Sequence, residues 1–250
     1  MGDNTTLLSG LVSSITLKTK RLLRFLVTGG KSLGSNKIDL NEDQFEYSAK
    51  WYDNAYHIGR VGIHEKEFKT INLQYERAGY RNRLETVINK INIPSSKITW
   101  LEVGCHLGLT AYWIGNILPS AYFYMLDFSN ESIKWCQKNF PFNERATIWQ
   151  ANVDNIFFNE DRLANKFDYA SCIDVTEHLP EPVYRGMIRE LFRVIKPGGF
   201  LILMQGNTPR VEHIHVLKEE ELISDFESIG FVLSKKLPER HYLLQKPNKT

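Results

Sequence analysis

The residues with the clearest chemistry begin at a glycine-bent corner. In Trp100-Leu-Glu-Val-Gly-Cys-His-Leu-Gly-Leu-Thr110 a β-prone apolar run ends at Gly104, and Gly108 leads into a helix-prone segment. Glycine accepts positive φ and lets a ligand approach the backbone closely. The N-terminus of the following helix offers free N–H groups to a carboxylate or phosphate. A plain tight turn has the same composition, so the corner needs companions. One is Asp127, about 20 residues on and ending the next apolar run, where a carboxylate can accept hydrogen bonds from a ribose diol. Corner and acid together suit an adenosine-containing ligand. A second titratable group lies downstream. Asp174, Glu177 and His178 are spaced three and four apart, which on a helix puts them on one face. His213 and His215 follow in the segment 207–215. Histidines and carboxylates move protons near neutral pH and also ligate divalent cations.

Positioning these groups requires a sheet. Short apolar runs occur at 98–103, 122–126, 147–149, 167–173, 200–204 and 231–234. Near-continuous runs of this length suit strands buried on both faces. Helical segments fit between them at 109–118, 130–139, about 176–195 and 218–229. Pro197-Gly198-Gly199 is expected to end the long helix sharply before the fifth strand. Lys218-Glu-Glu-Glu221 reads as the solvated start of the last helix. Alternation of strand and helix implies an α/β domain with a mostly parallel sheet, covered by helices on both faces. This domain is drawn over 96–250, and residues 1–95 are drawn as an N-terminal helical extension. Residues 29–41 read as a connector. Tyr47, Trp51, Tyr52 and Tyr56 are spaced so that several could share a helical face. They would either wall a pocket and exclude water or form a seam against the sheet.

Composition narrows the function classes. The 250 residues are 42% apolar and 24% charged, ordinary globular usage that excludes collagen-like and largely disordered chains. The formal net charge of +2 gives no global case for nucleic acid or an anionic membrane. Three widely spaced cysteines, Cys105, Cys136 and Cys172, make neither a disulfide framework nor a structural zinc site, so a reducing cytoplasm is expected. No apolar run reaches the ~18 residues of a spanning helix, and the first residues lack a secretory signal pattern. Met1-Gly2-Asp3-Asn4-Thr5-Thr6 fits the permissive myristoylation pattern, and residues 7–28 are basic and apolar. A helix or two packed on the domain is preferred over a peripheral membrane anchor for this segment.

Four pieces in order carry a resemblance. They are the Glu102…Gly104…Gly108 corner, Asp127 after the second strand, Asp174-Val-Thr-Glu-His-Leu179 after the fourth, and Arg193-Val-Ile-Lys-Pro-Gly-Gly199. Together they resemble the class I S-adenosylmethionine-dependent methyltransferases over about residues 97–235. The resemblance implies a Rossmann-like, seven-stranded, mostly parallel sheet, with the N-terminal extension as a lid. It implies that Glu102 and Gly104 shape the methionine end of the cofactor pocket, and that Gly108 allows the close pass. Asp127 would hold the ribose hydroxyls and Phe128 would lie against the adenine. Asn152 stands where the family often has an Asp for the adenine amino group, Val153 would follow with its backbone, and Ile173 and Asp174 would lie beneath the sulfonium. His106 replaces the family's middle glycine; it tolerates left-handed φ better than most residues and could add a polar contact to the methionine carboxylate.

Methyl transfer from a sulfonium is an in-line displacement, and an oxygen nucleophile usually needs a base or a metal to lose its proton. The candidate catalytic residues are therefore His178, His213 and Asp174. With Glu177 they look like the metal site of small-RNA 3′-end and ubiquinone-pathway methyltransferases. A plain histidine base is preferred over a divalent metal, because the Glu-His-Leu triplet is common in metal-free relatives. The expected acceptor is a small molecule, first a hydroxyl on a sugar or other polar metabolite, then a phenol, then an amine. The alternatives are an RNA 2′-O-methyltransferase, which would need a basic aromatic-lined track that the scattered Lys and Arg do not provide, a non-catalytic adaptor with the same fold, and a nicotinamide-dependent oxidoreductase.

Overall fold

The computed structural model describes residues 45–55, 80–91, 93, 97–155, 163–207, 210 and 212–248. Residues 7–28 and Tyr56 lie outside these, so the anchor and the fourth aromatic of the extension are not placed. Residues 41–250 form one compact unit. In chain order the elements are α1 (Ala49–Ala55), α2 (Tyr80–Lys90), β1 (Thr99–Val103), α3 (Leu109–Ile117), β2 (Tyr122–Asp127), α4 (Asn130–Asn139), β3 (Ala146–Gln150), β4 (Phe167–Ile173), α5 (Glu181–Val194), β5 (Ile195–Met204), α6 (Glu219–Ile229), β6 (Val232–Leu237) and β7 (His241–Gln245). Among the described residues no helix is long and apolar enough to cross a membrane.

The seven strands form one sheet in the order β3-β2-β1-β4-β5-β7-β6. The pairs from β3 to β5 are parallel, and β7 runs antiparallel to both β5 and β6. The mostly parallel sheet expected from the alternation, with the seven strands and Rossmann-like form that the resemblance implies, is what the chain forms. The apolar runs follow from burial on both faces. One face carries Leu101, Val103, Ala170, Cys172, Leu201 and Leu203 against the stripe Tyr184, Met187, Ile188, Leu191 and Val194 of α5 and Leu222, Ile223 and Phe226 of α6. The other carries Trp100, Phe123, Met125 and Ile202 against α2, α3 and α4 through Val87, Ile88, Ala111, Ile114, Ile133 and Cys136. The strand order reverses between β1 and β4. In such sheets ligands bind outside the carboxyl ends of the strands at that switch point, and the candidate residues stand there.

Two local expectations are corrected. The segment 176–195 is not one helix: Thr176–His178 is a single tight 3-10 turn, and α5 starts at Glu181 with Pro182 in its first turn. Proline at a helix start loses no hydrogen bond and has φ already set. Second, Pro197-Gly198-Gly199 does not separate helix from strand. The strand begins at Ile195, opposite Phe167, bulges through the Pro-Gly-Gly stretch and resumes with Phe200 opposite Tyr169. A bulge tolerates proline because the ladder there needs no N–H. Lys218–Glu221 is the mostly exposed start of the last helix, as expected, and it also makes bonds of its own. Glu221 accepts from the Lys218 backbone N–H in a capping box, and Glu219 accepts from the Tyr242 hydroxyl at 3.0 Å. β7 was not among the six apolar runs, although its residues 241–244 are buried.

Candidate active site

A cavity of about 700 Å³ opens at the carboxyl ends of β1, β2, β4 and β5. Its first wall is the corner after β1. Gly104, His106 and Gly108 all have left-handed backbones, with φ of 67°, 46° and 70°. A Cβ on Gly108 would sit 2.5 Å from the Met125 side chain, so packing as well as φ demands glycine there. Glu102 is buried, and its Oε2 accepts from the Ala111 N–H at 2.8 Å. That carboxylate caps α3 from inside the sheet. The helix N-terminus is thus partly satisfied by the protein itself. Burial pushes the Glu102 carboxyl up to about 8, against the opposing pull of the Thr110 and Ala111 donors.

Asp127 ends β2. Its Oδ2 accepts from the His106 N–H at 2.8 Å and its Oδ1 from the Ser129 N–H at 2.9 Å. Each oxygen retains a lone pair, and the residue lines the cavity. Burial raises its pKa and Asp53 adds to the rise, against the lowering by its backbone donors. Asp53 on α1 reaches over to accept from the Ser129 hydroxyl at 2.5 Å. This bond fastens α1 above the end of β2. From α1, Tyr52 meets Phe128 edge-on at 4.9 Å and His178 edge-on at 5.8 Å. It bridges the two halves of the cavity.

The second half is built after β4. Asp174 is left-handed, with φ 54°, and takes the chain into the 3-10 turn that carries Glu177 and His178. Glu177 is fully buried. Its Oε1 accepts from the Gly206 N–H at 2.9 Å, a Cβ on Gly206 would collide with that same oxygen, and Oε2 has no partner. Burial pushes this carboxyl up to about 8, with the charge of hydrogen-bonded Asp174 adding to the rise. His178 and His213 meet edge-on at 4.7 Å, and neither Nδ1 has a partner. Burial lowers His178 to about 4 and the neighbouring His213 helps, so its ring is neutral at pH 7. One ligand atom each from Glu177, His178 and His213 lies within 4.8 Å of the others. Two imidazoles and a carboxylate are a donor set that fits a divalent cation.

The structure therefore gathers Glu102, Gly104, His106, Asp127 and Phe128 on one cavity with Val153, Ile173, Asp174, His178 and His213. Gly108 stands behind the wall. Asn152 faces a smaller hollow beside it, lined also by Tyr47, Phe128 and Gln150. Of the extension's aromatics, Tyr47 and Tyr52 line the main cavity, whereas Trp51 packs on Phe45 at 4.9 Å. Tyr47 precedes α1, so among the described aromatics it shares no helical face with Trp51 and Tyr52.

The comparisons with known proteins follow this geometry. A family model described as a methyltransferase domain matches residues 101–201, from β1 into β5. Residues 101–201 thus match a methyltransferase domain, and the fold around them is that of S-adenosylmethionine-dependent methyltransferases. It is similar to O-methyltransferase 3 of Dictyostelium discoideum, with 29% identity over 56% of this chain and 33% of that protein. It is also similar to the sterol 24-C-methyltransferase of Schizosaccharomyces pombe, with 27% identity over 69% of this chain and 41% of that one. The chain thus spans less than half the length of these relatives. A SAM-dependent methyltransferase from Aquifex aeolicus shares the fold, with TM-score 0.53 and 18% identity over 64% of this chain and 87% of that one.

Sequence reasoning missed Gln205 in this methyltransferase domain. Buried at the end of β5, it donates to Thr176 Oγ1 at 2.9 Å and to the His215 carbonyl at 3.1 Å, and it accepts from the Leu217 N–H at 2.8 Å. It ties the turn bearing His178 to the loop bearing His213. A lone amide ending an apolar strand was the available signal.

Proposed function

We propose that this domain binds S-adenosylmethionine and transfers its methyl group to an oxygen of a small polar molecule, a sugar hydroxyl or a phenol. The cavity fits such a donor. Two buried carboxyls, Glu102 and Asp127, are raised by burial, and a positively charged sulfonium nucleoside would supply the countercharge they lack. The donor, when bound, supplies an electrophilic methyl on sulfur. The remaining work falls to this chain. Asp127 offers acceptors to a ribose diol, Phe128 offers a ring face, and Tyr52 covers the junction and excludes water. Ile173 and Asp174 sit at the centre, where nucleophile and methyl must be brought into line.

The observation that carries the oxygen reading is the cluster Asp174, Glu177, His178 and His213, with unpartnered nitrogens on both rings. An amine needs less help to lose a proton than a hydroxyl does. In the first reading His178 Nδ1 accepts the hydroxyl proton as the methyl is transferred. The orphaned Glu177 Oε2 favours a second reading. Glu177, His178 and His213 would hold a divalent cation, which would supply Lewis acidity toward the acceptor oxygen. A histidine held neutral down to about pH 4 suits coordination better than proton uptake. On the cavity wall the strongly basic side chains are Arg210 and Arg240, which supports a small acceptor over a nucleic-acid strand. Three buried free cysteines fit a reducing cytoplasm.

The test is a methyl-transfer screen against sugars, phenols, amines and RNA, before and after chelation. His178→Ala, which removes the base of the first reading and a ligand of the second, is expected to depress turnover about a hundredfold with little change in donor affinity. Activity that survives chelation supports the histidine base; loss restored by magnesium supports the cation. Transfer to amines or RNA, with none to hydroxyls of small molecules, would remove the oxygen reading.

A further inference from the structure

The nucleoside end of the cavity is not open. Tyr47 lies on it, with its ring stacked on Phe128 at 5.2 Å between centroids and 22° between planes. Its hydroxyl donates to Asn152 Oδ1 at 3.2 Å. The same Oδ1 accepts from the Val153 N–H at 2.8 Å. Phe128, Asn152 and the Val153 backbone are the groups that would receive an adenine ring by stacking and edge hydrogen bonds. All of them are engaged by the protein. Tyr47 also lines both the main cavity and the hollow of about 460 Å³ beyond it, so its ring is part of the partition between the two.

Resting on the reading that the donor is S-adenosylmethionine, we propose that Tyr47 is an internal stand-in for adenine: it holds the purine's place in the ligand-free protein and leaves on binding. An aromatic ring with one polar edge satisfies the same stacking face and the same amide oxygen that a purine uses. The attachment allows the exchange. Tyr47 sits on residues 45–47, which belong to no helix or strand and lie ahead of α1. The helix is fastened independently, through Asp53 to Ser129 and through Tyr52 to Phe128. A swing of the arm breaks the stack on Phe128, one hydrogen bond and an edge-on contact with Tyr52 at 6.4 Å, while α1 keeps its hold through Asp53 and through Tyr52 on Phe128. A pocket filled by its own side chain binds with an affinity reduced by the fraction of molecules that are open.

The experiment is calorimetric titration of wild type, Tyr47→Ala and Tyr47→Phe with S-adenosylmethionine and, separately, with adenosine. Circular dichroism melts confirm that each variant folds. Tyr47→Ala is expected to bind both ligands about tenfold tighter, and Tyr47→Phe, which keeps the stack without the hydroxyl, to fall between. The equal gain with adenosine is the readout that a merely structural tyrosine would not give. Equal or weaker binding of either ligand by folded Tyr47→Ala would make the ring a wall or contact and overturn the stand-in alone. Absence of S-adenosylmethionine binding from all three folded proteins would overturn the donor reading and the stand-in together.

Discussion

Glu177 illustrates what one buried residue does here. A carboxyl with one oxygen on a backbone N–H, the other unpartnered and Asp174 beside it prefers to keep its proton. Its folded pKa of about 8 stands above the ordinary 4.5. The folded state therefore binds the proton more tightly than the unfolded chain. Stability from this group is full below pH 4.5 and is lost as pH rises toward about 8. Glu102 works in the same direction. In metal-free protein, Glu177→Gln is expected to shallow the fall in melting temperature between roughly pH 5 and pH 8 without abolishing it. An unchanged slope in thermal melts would mean that Glu177 ionises in the fold as it does in water. The residue types at these sites were legible in the sequence, since Asp127, Asp174, His178 and His213 all reach the cavity. The orphaned oxygen was not, because it depends on which backbone N–H groups arrive from β5.

At the scale of elements, the junction of α5 and β5 shows how a helix stops without its expected breaker. The Lys246 ammonium is buried, and it donates to the Phe192 and Ile195 carbonyls at 2.6 and 2.9 Å and to Asn165 Oδ1 at 2.8 Å. It caps the last turn of α5 and charge-complements the helix end. Just after β7, Lys246 also exchanges backbone hydrogen bonds with Gly198 and Gly199 at the bulge. Lys246→Ala would leave buried carbonyls unsatisfied. We expect a loss of about 3 kcal/mol, seen as a melting temperature lower by about 6–12 °C; a change within 1–2 °C would show that water replaces the ammonium at no cost. No pattern in residues 176–199 announces this cap, because the capping residue lies some fifty positions away in the chain. That is why the role of Pro197–Gly199 was misread, although the end of α5 at Val194 and the bounds of α3, α4 and α6 were placed within a residue or two; the start of α5 was missed because the 3-10 turn at 176–178 was taken into the helix.

For the whole molecule, the sheet's switch point collects residues from β1, β2, β4 and β5 onto one cavity, covered by α1 and Tyr47. A ligand filling that space binds only the folded state. At a hundredfold excess over its Kd, S-adenosylmethionine is expected to stabilise the protein by about 2.7 kcal/mol, a rise of about 5–10 °C in melting temperature. NADH should give none. The reverse result would point to the oxidoreductase alternative.

The alternation of apolar runs with helical stretches sufficed to specify the parallel sheet, because burial on two faces is written into every strand. The glycine corner and Asp127 sufficed to specify one wall of the cavity, because positive φ and strand-end acids are local properties of the chain. Three features were decided by tertiary structure alone: that Gln205 ties the turn bearing His178 to the loop bearing His213 beside an unpaired carboxyl oxygen, that Lys246 closes a helix from just beyond a distant strand, and that Tyr47 stacks on Phe128. Each depends on partners brought from afar, and pairing between distant residues leaves no periodic trace in a single sequence.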